Sequence, residues 1–224
     1  MLTKIVERLR KIWSFSSLGR SGGTKSVDDF CRFLDSRPAF VSQTTLYGYL
    51  KTRSGRGHAE IFTNETYVVS INMAKWRVYL ASLSDLAMYA GGLIANRTDS
   101  DRQEVSALIE HCLRRILDEH GTPAGSDENY AVAAEAVFAR IKGIAWTEVG
   151  DDESPFSESP EALYEWAPIA DELKTQDEEI VRNSIRFKWR DVRVELRRGL
   201  DADAVLADFR QLRLPESINA VRPR

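Results

Sequence analysis

The sequence predicts an all-α protein: a multi-helix bundle of about seven to eight helices with a tethered N-terminal amphipathic helix. Three observations lead there. Apolar residues recur at intervals of three and four along most of the chain, the period of a helix with one buried face. The segments marked this way open on Ser, Thr, Asp or Asn, and several close on Gly, residues that satisfy orphan backbone groups at helix ends. No stretch alternates apolar and polar residues for long enough to mark a half-buried strand.

Taken in order, Leu2, Ile5, Val6, Leu9, Ile12 and Trp13 form an apolar stripe with Lys4, Arg8 and Lys11 between them, so residues 1–15 are expected as an amphipathic helix. Residues 16–25, with Gly19, Gly22 and Gly23, are expected as a flexible linker. Residues 26–213 are expected as the helical domain and 214–224 as a tail without periodicity. Within the domain, Ser26 and Asp29 make a relaxed capping box, and Phe30, Phe33 and Leu34 give an inner face. Pro38 is expected to restart the chain, because proline suits a first turn and not an interior. A second apolar face then runs from Phe40 to Leu50, as far as the turn Ser54-Gly55-Arg56-Gly57-His58.

Residues 64–96 are apolar on most faces, as expected for the central helix of a bundle, although the run from Thr66 to Val69 also suits a short strand. Gly91 and Gly92 are expected to weaken its last turns. Asp99 or Asp101 opens a helix with Val105, Leu108, Ile109, Cys112, Leu113 and Ile116 on one stripe and Gly121 as its stop. Another starts at Asp127 and holds its period through Trp146, followed by an exposed acidic loop from Thr147 to Ser159. Ser159-Pro160 and Ala167-Pro168 each mark a helix entry. Thr175 and Glu178 cap a long helix that ends at Gly199, with Val181, Ile185, Trp189, Val192 and Leu196 inward. A last short helix begins at Asp201 or Asp203.

The chain's 224 residues, 43% of them hydrophobic, are enough to bury a core without disulfides or metals. Cys31 and Cys112 lie far apart in helical patterns and are expected to be reduced. Charges at Lys4, Glu7, Arg8, Arg10 and Lys11 interrupt the apolar core a signal peptide would need. Lys75, Arg77 and Asp85 break the most apolar stretch, so a cytoplasmic location is expected. Charge is unevenly spread: +6 over residues 1–60, +1 over 61–98, −15 over 99–179 and +5 over 180–224. The expected outcome is self-neutralisation on folding, with separate patches for different partners as the alternative.

Gly19-Arg20-Ser21-Gly22-Gly23 matches Gly-x-Ser-x-Gly, the nucleophile elbow of serine esterases. That motif works where a strand feeds a tight turn into a helix and holds the serine over an oxyanion hole. Here it follows an amphipathic helix within a linker, and His58, His111 and His120 have no triad context, so it is read as linker. A serine hydrolase using Ser21 stands as the alternative function. Thr45-Leu46-Tyr47-Gly48-Tyr49-Leu50-Lys51-Thr52-Arg53, with Ser70-Ile71-Asn72-Met73-Ala74-Lys75 and Ser82-Leu83-Ser84-Asp85-Leu86, resembles a family of small uncharacterised bacterial proteins sometimes automatically labelled esterase. The resemblance covers about residues 26–95 and carries no established activity with it.

His58-Ala59-Glu60 lacks the Pro-Cys-x-x-Cys of a zinc deaminase. Glu110, His111, Cys112, Asp118, Glu119 and His120 are metal-ligand types, but Cys112 lies on the apolar stripe and His120 suits the negative end of a helix. No metal or cofactor is expected. Asn72 and Asp85, on a helix expected to be buried, need polar partners, and Lys51, Arg53 or Arg56 is the expected one. A small-molecule pocket around Asn72 and Asp85 is the other reading. Arg182, Arg186, Arg190, Arg193 and Arg197 form one stripe on the long helix, suited to phosphates, anionic lipid or an acidic partner, or to internal pairing with the acidic middle. Asp191, Glu195 and the acidic total argue against a nucleic-acid binder.

The expected function is therefore a non-enzymatic helical interaction protein, an adaptor or assembly factor. Its expected contact residues are the arginine stripe and Lys4, Arg8, Lys11 and Trp13. A protein partner is expected, and peripheral contact with an anionic membrane at its inner face is a variant. The oligomeric state is left open by the sequence.

Overall fold

The computed structural model describes residues 23–55 and 63–213. Within them the chain is all-helical: seven α-helices, one 3-10 turn, and no strand beyond a single isolated bridge. The helices are α1 (Val27–Ser54), α2 (Glu65–Ala95), α3 (Arg102–His120), α4 (Tyr130–Ile141), α5 (Glu158–Trp166), α6 (Asp171–Gly199) and α7 (Ala202–Arg213), with the 3-10 turn at Trp146–Glu148. The expectations for residues 1–15, for most of the linker including Ser21, for Arg56 and His58 and for the tail lie outside the described residues.

α1 begins where Ser26 accepts a hydrogen bond from the Asp29 amide at 3.1 Å. It does not restart at Pro38, as expected, but passes through it as one helix. An interior proline costs about 3 kcal/mol. Phe30, Phe33, Leu34, Val41, Leu46 and Leu50 are all buried before and after it, and packing them from one continuous helix outweighs that cost.

α2 lies at the centre, packed by α1, α3, α4 and α5. Asn64 caps it by accepting from the Tyr67 amide at 3.2 Å, and the stretch from Thr66 to Val69 is helical. By length and composition α2 could cross a membrane, but 89% of its most apolar window is buried within the protein, so it serves as the core helix. Gly91 and Gly92 are sites of close approach. A Cβ on Gly91 would meet the Trp146 ring at 2.4 Å, and one on Gly92 would meet Val149 at 2.6 Å. The indole is buried there and donates to Ser106 Oγ at 2.8 Å.

α3 follows its expected stripe and caps, from Asp101 to Gly121. It brings Cys112 against Cys31 of α1, with the two sulfurs 2.6 Å apart and both thiols free. α4 stops at Ile141, well short of Trp146, because Gly143 takes φ +76 and turns the chain so that the indole can enter the core. The acidic loop is held as well as exposed: Phe156 is buried against Tyr89 and Trp189.

α6 starts at Asp171, one turn before the expected Thr175 cap; the Thr175 hydroxyl instead donates back to the Asp171 carbonyl at 2.9 Å. At its far end a two-residue bridge closes the domain. The Thr24 amide donates to the Gly199 carbonyl at 2.7 Å, and the Asp201 amide to the Thr24 carbonyl at 3.0 Å. Thr24 belongs to the stretch expected as linker, and it is buried. α7 is secured to α1 by the Val27 amide on Asp208 at 2.8 Å and to α3 by Arg210 on Glu104 at 2.6 Å.

Candidate interaction surface

α6 is buried along one side and open along the other. Val181, Ile185, Trp189, Val192 and Leu196 face the core. On the open side Leu173 is 39% exposed, Ile180 71% and Phe187 65%, at intervals of seven residues. A seven-residue step drifts by only about 20° around a straight helix, so the three make one stripe within about 40° of arc. Glu172, Glu179, Arg186 and Arg190 are exposed along one flank of it. On the other flank, Lys188 lies over the ring of Phe40 of α1, itself 44% exposed.

The expected arginine stripe divides in two. Arg182 pairs with Glu161 and with Glu178, and its guanidinium lies over the Tyr164 ring. Arg193 is buried and reaches Glu153 at 3.5 Å, while Arg197 reaches Asp151 at 3.5 Å. These three neutralise the acidic segment folded against them. Arg186 and Arg190 remain on the open surface, with Arg186 donating to Asn183 of its own helix at 3.2 Å. Lys4, Arg8, Lys11 and Trp13 lie outside the described residues.

Asn72, Asp85, Lys51 and Arg53 do not form one network. Asp85 is fully buried, and its partner is Arg140 of α4, at 2.6 Å. It also accepts the Glu158 amide at 3.1 Å and the Ser159 amide at 2.8 Å, so an acid of α2 caps the N-terminus of α5. Arg140 continues to Ser84 at 3.1 Å, the Pro155 carbonyl at 2.8 Å and Ser157 at 3.2 Å. Burial raises the Asp85 pKa and Arg140 opposes that shift.

Arg53 instead grips Asp177 of α6 with two nitrogens, and the Tyr49 hydroxyl donates to the same carboxylate at 3.1 Å. Hydrogen bonding from Arg53 holds Asp177 below the usual carboxylate range, while burial and then Asp177 push Tyr49 up to about 12. Lys51 is exposed, and Asn72 packs against Gly125. Chain direction separates the two pairs. Arg53 lies on the last turn of α1, beside the start of α6, whereas Asp85 sits under the entry to α5. Asp85 is fully buried, and its carboxylate oxygens are taken up by Arg140 and the two α5 amides.

The metal-ligand types of α3 also point apart. Cys112 meets Cys31, His111 packs on Phe209, and His120 contacts Asp35 at 2.9 Å beside Tyr79. Tyr79 donates to Asp35 at 2.6 Å, and burial raises its pKa well above normal. A cleft of 590 Å³ at the domain's N-terminal junction is lined by Lys25, Arg97, Arg198, Asp201 and Asp203, among others.

Fold and surface together define a class, an all-helical bundle with an apolar stripe left in solvent between charged flanks. No family model, curated protein or solved structure matches the chain.

Proposed function

We propose that this chain is a non-enzymatic helical interaction protein, an adaptor or assembly factor acting in the cytoplasm. Its contact surface is the open side of α6, and the basic amphipathic segment of residues 1–15 gives it a second contact, with a protein partner or the anionic inner face of a membrane. One observation carries the reading. Leu173, Ile180 and Phe187 are large apolar side chains set in water on a helix whose opposite side already supplies the core. A row of large exposed apolar side chains flanked by charge suits a protein contact.

A photo-crosslinking residue placed at Ile180 in the full chain, in its native cell, should give a specific protein adduct. The same residue at exposed Glu128 is the control, and equal yields at the two positions would sink the proposal. The hydrolase alternative is tested separately, since ester hydrolysis unchanged by Ser21→Ala removes it.

A further inference from the structure

We infer that the open side of α6 is a self-pairing surface, on which two copies of this chain join through antiparallel α6 helices about a two-fold axis at Ile180. This rests on the reading of the α6 surface given above and names its partner. An isologous interface needs a patch complementary to itself under a half-turn. α6 has this property in both its apolar and its charged residues.

Ile180 stands midway between Leu173 and Phe187, seven residues from each. In an antiparallel pair Ile180 meets its own copy, and each Leu173 meets the partner copy's Phe187. A small side chain thus faces a large one on either side of the axis. The outer part of the charged flank obeys the same operation, while Glu179, one residue before the axis, comes beside its own copy as the like-charge meeting on this flank. Glu172 lies eight residues before Ile180; Arg186 and Arg190 lie six and ten residues after it, on the same flank. At helical rise Glu172 is about 12 Å from the axis and the arginines about 9 and 15 Å. The half-turn therefore sets each Glu172 between Arg186 and Arg190 of the other copy.

Among the described residues Glu172 and Arg186 have no ion pair, and Arg190 has only a 4.0 Å contact with its neighbour Asp191. The other arginines of the expected stripe, Arg182, Arg193 and Arg197, are bound to the acidic segment of their own chain. In a parallel pairing each flank would instead meet the opposite flank of the other copy, which takes Glu172 away from Arg186 and Arg190 and sets those arginines on the side of Lys188, a repulsive arrangement. Charge thereby selects direction and the seven-residue stripe selects register, as in an antiparallel helix pair.

The test uses the full chain. Ile180→Cys should give a disulfide-linked dimer under mild oxidation. Glu172→Cys should not, because its copy stands about 24 Å away along the helix, far beyond disulfide reach. The wild type, whose two cysteines are buried, should remain uncrosslinked. Light scattering of the wild-type protein should report a dimer that Phe187→Glu converts to monomer with unchanged helical circular dichroism. Glu172→Arg should weaken association about tenfold, and adding Arg186→Glu and Arg190→Glu in the same chain should restore it. A wild-type protein that stays monomeric at 100 µM, or equal crosslinking at positions 172 and 180, overturns the inference. If Ile180 then captures a different protein in cells, the proposed function stands while self-pairing falls; if it captures nothing above the Glu128 control, both fall.

Discussion

Asp85 and Phe187 are each in the wrong solvent by composition, and the protein treats them in opposite ways. The acid is placed in the core and surrounded: Arg140 pairs with it, and two backbone amides of α5 complete its hydrogen bonds. Phe187 is placed in water on the outside of α6 and given no cover. A buried charge must be satisfied within the chain or the fold fails. An exposed aromatic carries no such obligation, so it is free to serve something outside. The first arrangement belongs to architecture, joining α2, α4 and α5; the second is the one the proposed function assigns to association.

The largest effect should come from breaking the interior case. Asp85→Ala strands Arg140 and uncaps α5, and should cost about 3–5 kcal/mol of unfolding free energy in a denaturant titration. Gly91→Ala tests the same core where it is apolar. The new methyl meets the Trp146 ring and should cost about 1–3 kcal/mol, with a shift in indole fluorescence. On the exterior, Phe187→Glu should leave the unfolding free energy of dilute protein within about 0.5 kcal/mol while abolishing association. A loss comparable to that of Asp85→Ala would show that the α6 stripe is structural and erase the contrast.

The smallest effect concerns acid. Asp127 is held below the ordinary value of 3.8 by its hydrogen bonds with Arg77, so the stability it contributes is present above that value and is lost as pH falls through its lower folded value. Asp177 has the same sign, through Arg53. Asp85 has the opposite sign: its pKa is raised, so its contribution is fullest in acid and is lost as pH rises through the folded value. Asp127→Asn should therefore flatten the decline of stability as pH falls below 3.8, read as denaturation midpoint against pH; an unchanged slope would remove Asp127 from the account.

The helical class was legible because it rests on local signals that agree. The α3 stripe and its Asp101 and Gly121 caps follow from spacing alone. Pro38 and Thr175 misled because each obeys a local rule that a longer buried face overrides. Asp85 was recognisable as a residue needing a partner. That the partner is Arg140, 55 residues on, was not legible, since only the packing of α4 beside α2 creates the pair. The α6 stripe carries a readable signal of its own. Once Val181, Ile185 and Trp189 are assigned inward, Ile180 and Phe187 have no place in the same core, and their spacing of seven from each other and from Leu173 already describes a second face.

The bridge between Thr24 and Leu200 determines where the N-terminal segment departs, and hence the valency of whatever that segment binds. It ties that segment to the last turn of α6, 19 residues beyond Ile180. In the paired arrangement the two departure points are about 57 Å apart, at opposite ends of one rigid rod of helices. If residues 1–15 make the contact proposed for them, one such segment would hold its target only marginally, and a second carried on the same body would rebind at high effective concentration, multiplying residence without any new contact. Self-pairing would then act as a gain control, with capture rising steeply as the chain passes its own dimerisation threshold.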